Sequence, residues 1–310
     1  MLKTKFFDMN NNIHQEYFYI FSKIEAEEVK ENLNILNERF AVINSIEITC
    51  KPQENCLIPH STGHLLYSAA LNSIQKSNSQ LSEEIHSSKN TQVTVTPLNG
   101  EFDRKDSNRK RVFQDTEYNF FINLIDSEGF QELFNDLVLS GEGLEIAGEN
   151  FEITGMNTEE ITWQDLMEKK DPEGLYFHFM SPVSIQYKSS DVTEMFPHRE
   201  AVFKALENSW NRNAPEQMQF EIDTEELKKH VIEKSYSHDT ANTVITRKKD
   251  GENRRQIKAF GFTGKTEYGF KNTPDALKKK LAILTRYAKH AGLGSHTARG
   301  LGNTYTEVRY

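Results

Sequence analysis

The sequence predicts an α+β fold of two ferredoxin-like domains in tandem, each built on an antiparallel sheet. Three observations predict it. The first half reads strand, helix, strand, strand, helix, strand, which is the split β-α-β order. The second half offers a comparable run of strand, helices, hairpin, helix and strand. The 310 residues, 36% hydrophobic with 20 Phe and 11 Tyr, are enough for two cores, at roughly 100–200 residues per domain.

Each element has its own local reason. Glu25–Asn37 carries Val29, Leu33 and Leu36 at helical spacing, and Phe40–Cys50 alternates with β-branched residues as a strand does. Thr62–Ile74 places Leu65, Leu66, Ala69, Ala70 and Ile74 on one helical stripe, and Ser79–His86 reads as a second short helix. Thr91–Leu98 and Arg111–Ile125 read as strands joined by a basic loop, Arg104–Arg111; a helix at Ser127–Leu139 and a strand at Leu144–Thr154 follow. Beyond them, Gly174–Tyr187 is strand-like, Pro197–Asn211 is a helix with Val202, Phe203, Leu206 and Trp210 on one face, and Glu225–Lys234 reads as a charged helix. Asp250-Gly251 marks a hairpin between Thr243–Lys248 and Arg254–Phe262. Thr273-Pro274 opens a helix running to Lys289, and Asn303–Arg309 is a terminal strand. The junction is expected near Gly155–Ile161, giving domains at 1–155, with an N-terminal extension over 1–39, and at 156–310.

Composition excludes several classes. No apolar run reaches the ~18 residues of a membrane helix, and Met1–Asn12 lacks a signal peptide's apolar core. A cytoplasmic protein that stays off membranes is therefore expected. Cys50 and Cys56 stand alone as C-x5-C, which leaves neither a disulfide framework nor a four-cysteine zinc site. The net charge of −9 hides an asymmetry: Glu225–Tyr310 holds 18 Lys+Arg against 9 Asp+Glu. A basic third on an acidic chain suggests a surface that faces a polyanion, although a solvated lysine-rich face has the same composition.

The most informative stretch is His290–Tyr305, HAGLGSHTARGLGNTY. Gly292, Gly294, Gly300 and Gly302 form a G-x-G-x5-G-x-G pattern, with Ser295, His296, Thr297 and Arg299 between them. Glycine admits positive φ and close backbone approach, so such a loop suits a phosphodiester chain lying against it. A tight helix-to-strand connection is the alternative, with glycine as C-cap. Two nucleotide motifs fail. The stretch from Gly261 to Thr266 resembles the end of a P-loop but has Ala259 where the first glycine belongs, and G-x-G-x-x-G would need glycine at Thr297.

This stretch resembles the C-terminal glycine-rich loop of the RAMP superfamily of CRISPR-associated proteins. Within it, the similarity is to the endoribonucleases that mature CRISPR RNA, the sixth Cas family. The order of the pieces supports it. Leu66–His86 followed by Thr91–Leu98 is similar to that family's first helix, its L-x-x-x-(L/I)-H segment and its second strand. Ser181-Pro182-Val183, Phe196–Asn211 and Gly261-Phe262-x-Gly264 follow as in the family. The resemblance spans Phe40–Tyr310 and implies two RRM-like, RAMP domains.

It also implies a chemistry. Metal-independent RNA cleavage uses the ribose 2′-OH as nucleophile and leaves a 2′,3′-cyclic phosphate and a 5′-OH. It needs a base, an acid, and a cation for the phosphorane charge. Histidine, with a reference pKa of ~6.5, suits either proton role. The family's general base ends the L-x-x-x-(L/I)-H segment, which implies His86; a cation favours a helix C-terminus, so His86 also reads as a helix cap. The family's supporting lysine corresponds to Gln92 here, leaving Lys89 nearest, and its aromatic hydroxyl corresponds to Leu71, leaving Tyr67 one turn away. His60 and His64 bracket a helix start in PHSTGH; they read as capping or surface groups and stand next as catalytic candidates. The hairpin residues Arg247, Lys248, Lys249, Arg254 and Arg255 are expected to lie beside an RNA stem, or to protect a sheet edge.

The reading is thus an endoribonuclease acting on CRISPR repeat RNA, without metal or cofactor. Further partners are other Cas proteins of an effector complex and a second copy of the chain. Two alternatives stay open: a non-cleaving RAMP subunit that holds guide RNA, and a two-histidine phosphoesterase. The second rests on His60-Ser61-Thr62 and His86-Ser87-Ser88, which both read H-x-(S/T).

Overall fold

The computed structural model describes residues 42–310, apart from 81, 84–92, 105–108, 126–132, 136, 138–142, 168–169, 187–189 and 251–252. The expected extension over 1–39, its helix at 25–37, His86 and Lys89 lie outside the described residues.

Along the first half run β1 (Val42–Pro52), β2 (Cys56–Pro59), α1 (Gly63–Ser77), β3 (Val93–Val95), β4 (Asp103–Arg104), β5 (Arg109–Val112), β6 (Tyr118–Leu124), β7 (Leu144–Ile146) and β8 (Glu149–Thr162). α2 (Trp163–Leu166) leads to β9 (Gly174–Val183), β10 (Ile185–Gln186), β11 (Thr193–Glu194), α3 (Arg199–Asn213) and α4 (Thr224–His230). The chain closes with β12 (Val231–Asp250), β13 (Asn253–Phe270), α5 (Asp275–Ala291) and β14 (Thr304–Arg309).

Two antiparallel sheets result, ordered β3-β6-β1-β8-β7 and β12-β13-β9-β14. In terms of each domain's own strands the second sheet reads second, third, first, fourth, the ferredoxin-like order; the first reads second, third, first, fifth, fourth, because the β7–β8 hairpin stands where a single fourth strand would. Alternation builds the first core: Tyr118, Phe120, Ile122 and Leu124 of β6 point inward against Leu66, Tyr67, Ala70 and Ile74 of α1. Each large apolar side chain so buried contributes roughly 1.5–3 kcal/mol. The second core is aromatic. Phe177 of β9 meets Tyr268 edge-on at 5.5 Å and Phe203 of α3 at 6.0 Å, while Trp210 meets Tyr287 of α5 at 5.3 Å.

Three differences from the sequence reading have physical causes. The expected strand Arg111–Ile125 is two strands split by a turn, with Thr116 N–H donating to the Phe113 carbonyl at 3.1 Å. β5 then leaves the main sheet for a three-stranded one ordered β2-β5-β4. The charged helix stops at His230 rather than Lys234, because Val231 pairs with Phe270 and the His230 carbonyl accepts from Lys271 N–H and Thr273 Oγ1. The hairpin is accordingly much longer than Thr243–Phe262. Finally, β8 runs unbroken through Gly155, and Asn157 to Thr162 pair with Glu47 to Val42 of β1. The residues just after 155 therefore belong to the first sheet. Trp163 joins the second core, 5.2 Å from Trp210.

Among the described residues no helix is long and apolar enough to cross a membrane.

Candidate functional site

The helical spacing of α1 has two faces. Leu66, Tyr67, Ala70 and Ile74 enter the core, while His64, Ser68, Asn72 and Lys76 line a cleft of about 1230 Å³. Its other walls are His60 and Ser61 before α1, Arg109 of β5, the β7–β8 turn, the end of β9, the arm of β12 and β13, and Arg299 to Leu301. The charged groups on its lining are Lys76, Arg109, Lys258 and Arg299 against Glu145 and Glu149, with the two histidines beside them. Four cations against two carboxylates leave this lining with a positive balance.

The glycine-rich loop is positioned by protein contacts on nearly every side. Gly302 N–H donates to the Pro182 carbonyl at 2.9 Å and Leu293 N–H to the Gly302 carbonyl at 2.9 Å. Ser295 gives both N–H (2.8 Å) and Oγ (3.0 Å) to the Ser184 carbonyl. Gly294 has φ +86°, and a Cβ there would stand 2.5 Å from the Ser184 oxygen. Gly300 has φ +85°, and its Cβ would stand 2.7 Å from the Cα of Gly63 at the start of α1. Gly292 and Gly302 also hold positive φ. The glycines thus let the loop press on β9 and on α1, so that Arg299, between His296 and Gly300, reaches the cleft wall near His60 and His64. His296 is held below its ordinary imidazole range by burial and by the Arg299 guanidinium.

Buried hydrogen bonds tie this end of α5 to the first sheet. Asn123 Nδ2 donates to the His290 carbonyl at 2.8 Å, and Thr94 Oγ1 to the Ala291 carbonyl at 3.0 Å. Carbonyls in the last turn of a helix lack partners within it, so side chains of β3 and β6 complete α5. Burial, with Lys289 adding to it, lowers His290 to about 4. Between that value and an unfolded value near 6.5 the unfolded chain binds the extra proton, so stability rises with pH across this window. Lowering pH from 7 to 4 should remove on the order of 3 kcal/mol through this group. Urea midpoints at the two pH values should separate less in His290→Gln; an unchanged separation would remove His290 from the effect.

The structure therefore brings His60, His64, Arg299 and Gly300 to one cleft. Ser295 is engaged with Ser184, Thr297 is buried, and neither lines it. Tyr67 is buried against the first core and is not part of the cleft lining; burial raises its hydroxyl's pKa, and the Arg299 guanidinium, close enough to act on it, works the other way. In the hairpin, Lys248 pairs with Arg255 and Lys249 with Arg254 beyond the stretch where β13 pairs with β9. Those residues thus sit on a two-stranded arm whose base, with Thr243, Val244 and Lys258, borders the cleft. Ser61 Oγ fastens that base by donating to the Val244 carbonyl at 2.9 Å. The sequence reading missed Lys76, Arg109 and Lys258. Lys76 had a local signal in its helical spacing from His64, and Arg109 in the basic loop Arg104–Arg111; Lys258 had none. Among the described residues no group of three or more His, Cys, Asp and Glu is placed to hold a metal ion.

Comparison with known proteins bears on the fold. Residues 177–304 match the family model of the CRISPR-associated endoribonuclease Cas6. Thermus thermophilus Cas6 superposes with TM-score 0.60 at 13% identity, covering 86% of this chain and 98% of that one. The product complex of the same protein gives TM-score 0.63 at 14% identity, covering 86% and 100%. A Cas6-related protein from Pyrococcus furiosus gives TM-score 0.56 at 14% identity, covering 86% and 98%. A search of curated protein sequences finds no match. Residues 177–304 of the second domain thus match the Cas6 family model, and both sheets share the fold of the solved Cas6 structures.

Proposed function

We propose that the protein processes CRISPR repeat RNA by cutting it in the cleft between its two domains, which we place at 42–162 and 163–310. The carrying observation is that one cleft joins two histidines to Arg299 on the glycine-rich loop. In this reading one imidazole takes the 2′-OH proton and the other protonates the leaving 5′ oxygen. Arg299 offsets the charge that develops on the phosphorane. The products are a 2′,3′-cyclic phosphate and a 5′-OH, formed by acid–base steps that use no metal. His86, implied by the resemblance as general base, remains a competing assignment, with Lys89 beside it. Lys76, Arg109 and Lys258 hold phosphates on either side of the cut, and the basic arm of β12 and β13 lies along the RNA. A cytoplasmic location and contact with other Cas proteins go with this role.

Salt tests the electrostatic half of the reading. Affinity for a repeat RNA should fall with added salt by a log–log slope of roughly −0.7 per phosphate neutralised on single strands. Replacing Arg254 and Arg255 together by alanine should flatten that slope. An unchanged slope would take the arm out of the interface. Tight binding with no product at any pH would instead identify a guide-holding subunit.

A further inference from the structure

The open face of the second sheet carries a feature the cleft does not use. Along β9 the alternation sends Leu175, Phe177 and Phe179 into the core and leaves Tyr176, His178 and Met180 on the opposite face. Tyr305 of β14 lies directly across from His178, and Lys265 of β13 lies across from it on the other side. An exposed lysine, an imidazole and a phenol therefore stand in one row over three adjacent strands. Directly opposed residues on neighbouring strands have Cβ atoms roughly 5 Å apart. Tyr305 is 48% exposed and Met180 54%. The Tyr176 ring meets Tyr305 edge-on at 6.5 Å and has the Arg309 guanidinium 5.1 Å from its centroid.

The charges on this face differ in availability. Arg309 is held by Glu267 at 2.9 Å and reaches Glu307 at 3.8 Å, and Lys234 is paired with Glu267 at 3.4 Å. Lys265 makes no ion pair among the described residues and stands beside His178. Burial and then Lys265 hold His178 below its ordinary imidazole range, so near neutral pH it presents an uncharged ring. The row is continuous with the cleft, because Met180, two residues along β9 from His178, lines it.

Rings standing open on a four-stranded sheet beside a free cation match what single-stranded RNA offers, namely base faces and phosphates. We propose that this face binds a single-stranded RNA segment leaving the cleft, with Tyr305 and His178 stacking its bases and Lys265 contacting its backbone. The platform uses the first and fourth strands of the domain, since the third strand presents Lys265 and Glu267 there instead of rings. The proposal rests on the reading of the cleft as an RNA site and adds a second surface to it.

Fluorescence anisotropy with two labelled RNAs tests it: a repeat hairpin carrying a single-stranded flank on each side, and the same hairpin without flanks. Tyr305→Ala should weaken binding of the flanked RNA by roughly 5–150-fold, the usual worth of one stacked base. It should leave the flankless RNA unchanged. Tyr305→Phe should restore the wild-type affinity, and Tyr305→Thr, which suits a strand, should repeat the alanine loss if folding obscures it. Lys265→Gln should flatten the salt slope for the flanked RNA alone. Equal loss on both RNAs, or no loss on either, overturns the proposal. So does an effect confined to binding another Cas subunit, which would make the face a protein interface. Failure of the wild-type protein to bind either RNA would instead defeat the cleft reading, and this proposal with it.

Discussion

His64→Ala is expected to slow single-turnover cleavage of a repeat RNA by roughly 10²–10⁴, the usual worth of one acid–base group, while affinity holds within about twofold. His64 occupies the first turn of α1 on its cleft side, with Ser68, Asn72 and Lys76 along the same stripe. Removing its ring takes away a proton-transfer group and few contacts. His60→Ala should show a loss of the same order, because acid and base are separate jobs on the two sides of one phosphate. The double variant should lose much less than the product of the two single losses, since groups that act as a unit are not additive. Both reactions should proceed in excess EDTA. Wild-type rates in both single variants, with loss in His86→Ala, would move the general base to the residue that the family resemblance implies.

Gly300→Val should have the other large effect, and on binding first. The position needs φ +85°, and a Cβ would lie 2.7 Å from the Cα of Gly63. Backbone stands on both sides of that contact, so no side chain can swing away to relieve it. Strain of this kind costs on the order of 1–3 kcal/mol, and it displaces Arg299, the residue just before. The variant should bind repeat RNA weakly and cut slowly even at saturating protein. Gly63→Ala provides the control from the other side: its Cβ would meet the Arg299 carbonyl at 2.4 Å while leaving the loop's own sequence intact. If both variants bind and cut normally, the seam between α1 and the loop does not set the site.

The order of elements was legible because it rests on local pattern. Alternating apolar residues marked β1 and β6, and 3.6-residue stripes marked α1, α3 and α5. Asp250-Gly251 located the hairpin tip. Its length was not legible, because Ser235 to Thr243 is polar along a sheet edge and lacks the alternation that marks a half-buried strand. The full length of β8 was not legible for a related reason. β8 continues through Gly155 into the polar stretch from Asn157 to Glu160, which is held by backbone pairing with β1 rather than by an apolar face.

The site was legible in part. The glycine spacing identified the loop, but in the structure its glycines serve contacts with Gly63, Ser184 and Leu293. Arg299 is the loop's one charged group on the cleft. His60 and His64 had read as caps, and nothing local ranked them higher. Their meaning comes from Arg299, more than two hundred residues away in sequence and on the same wall in space. Lys258 and Arg109 became site residues the same way.

In the proposed mechanism the substrate's own 2′-hydroxyl attacks the scissile phosphate in the cleft. A repeat RNA with a single 2′-deoxy nucleotide immediately 5′ of the scissile phosphate tests it most directly. The prediction is wild-type binding and no detectable cut at that site, while the all-ribose RNA yields a fragment ending in a 2′,3′-cyclic phosphate. Cleavage of the deoxy-substituted RNA at the wild-type rate would contradict it, because the nucleophile would then have to come from elsewhere.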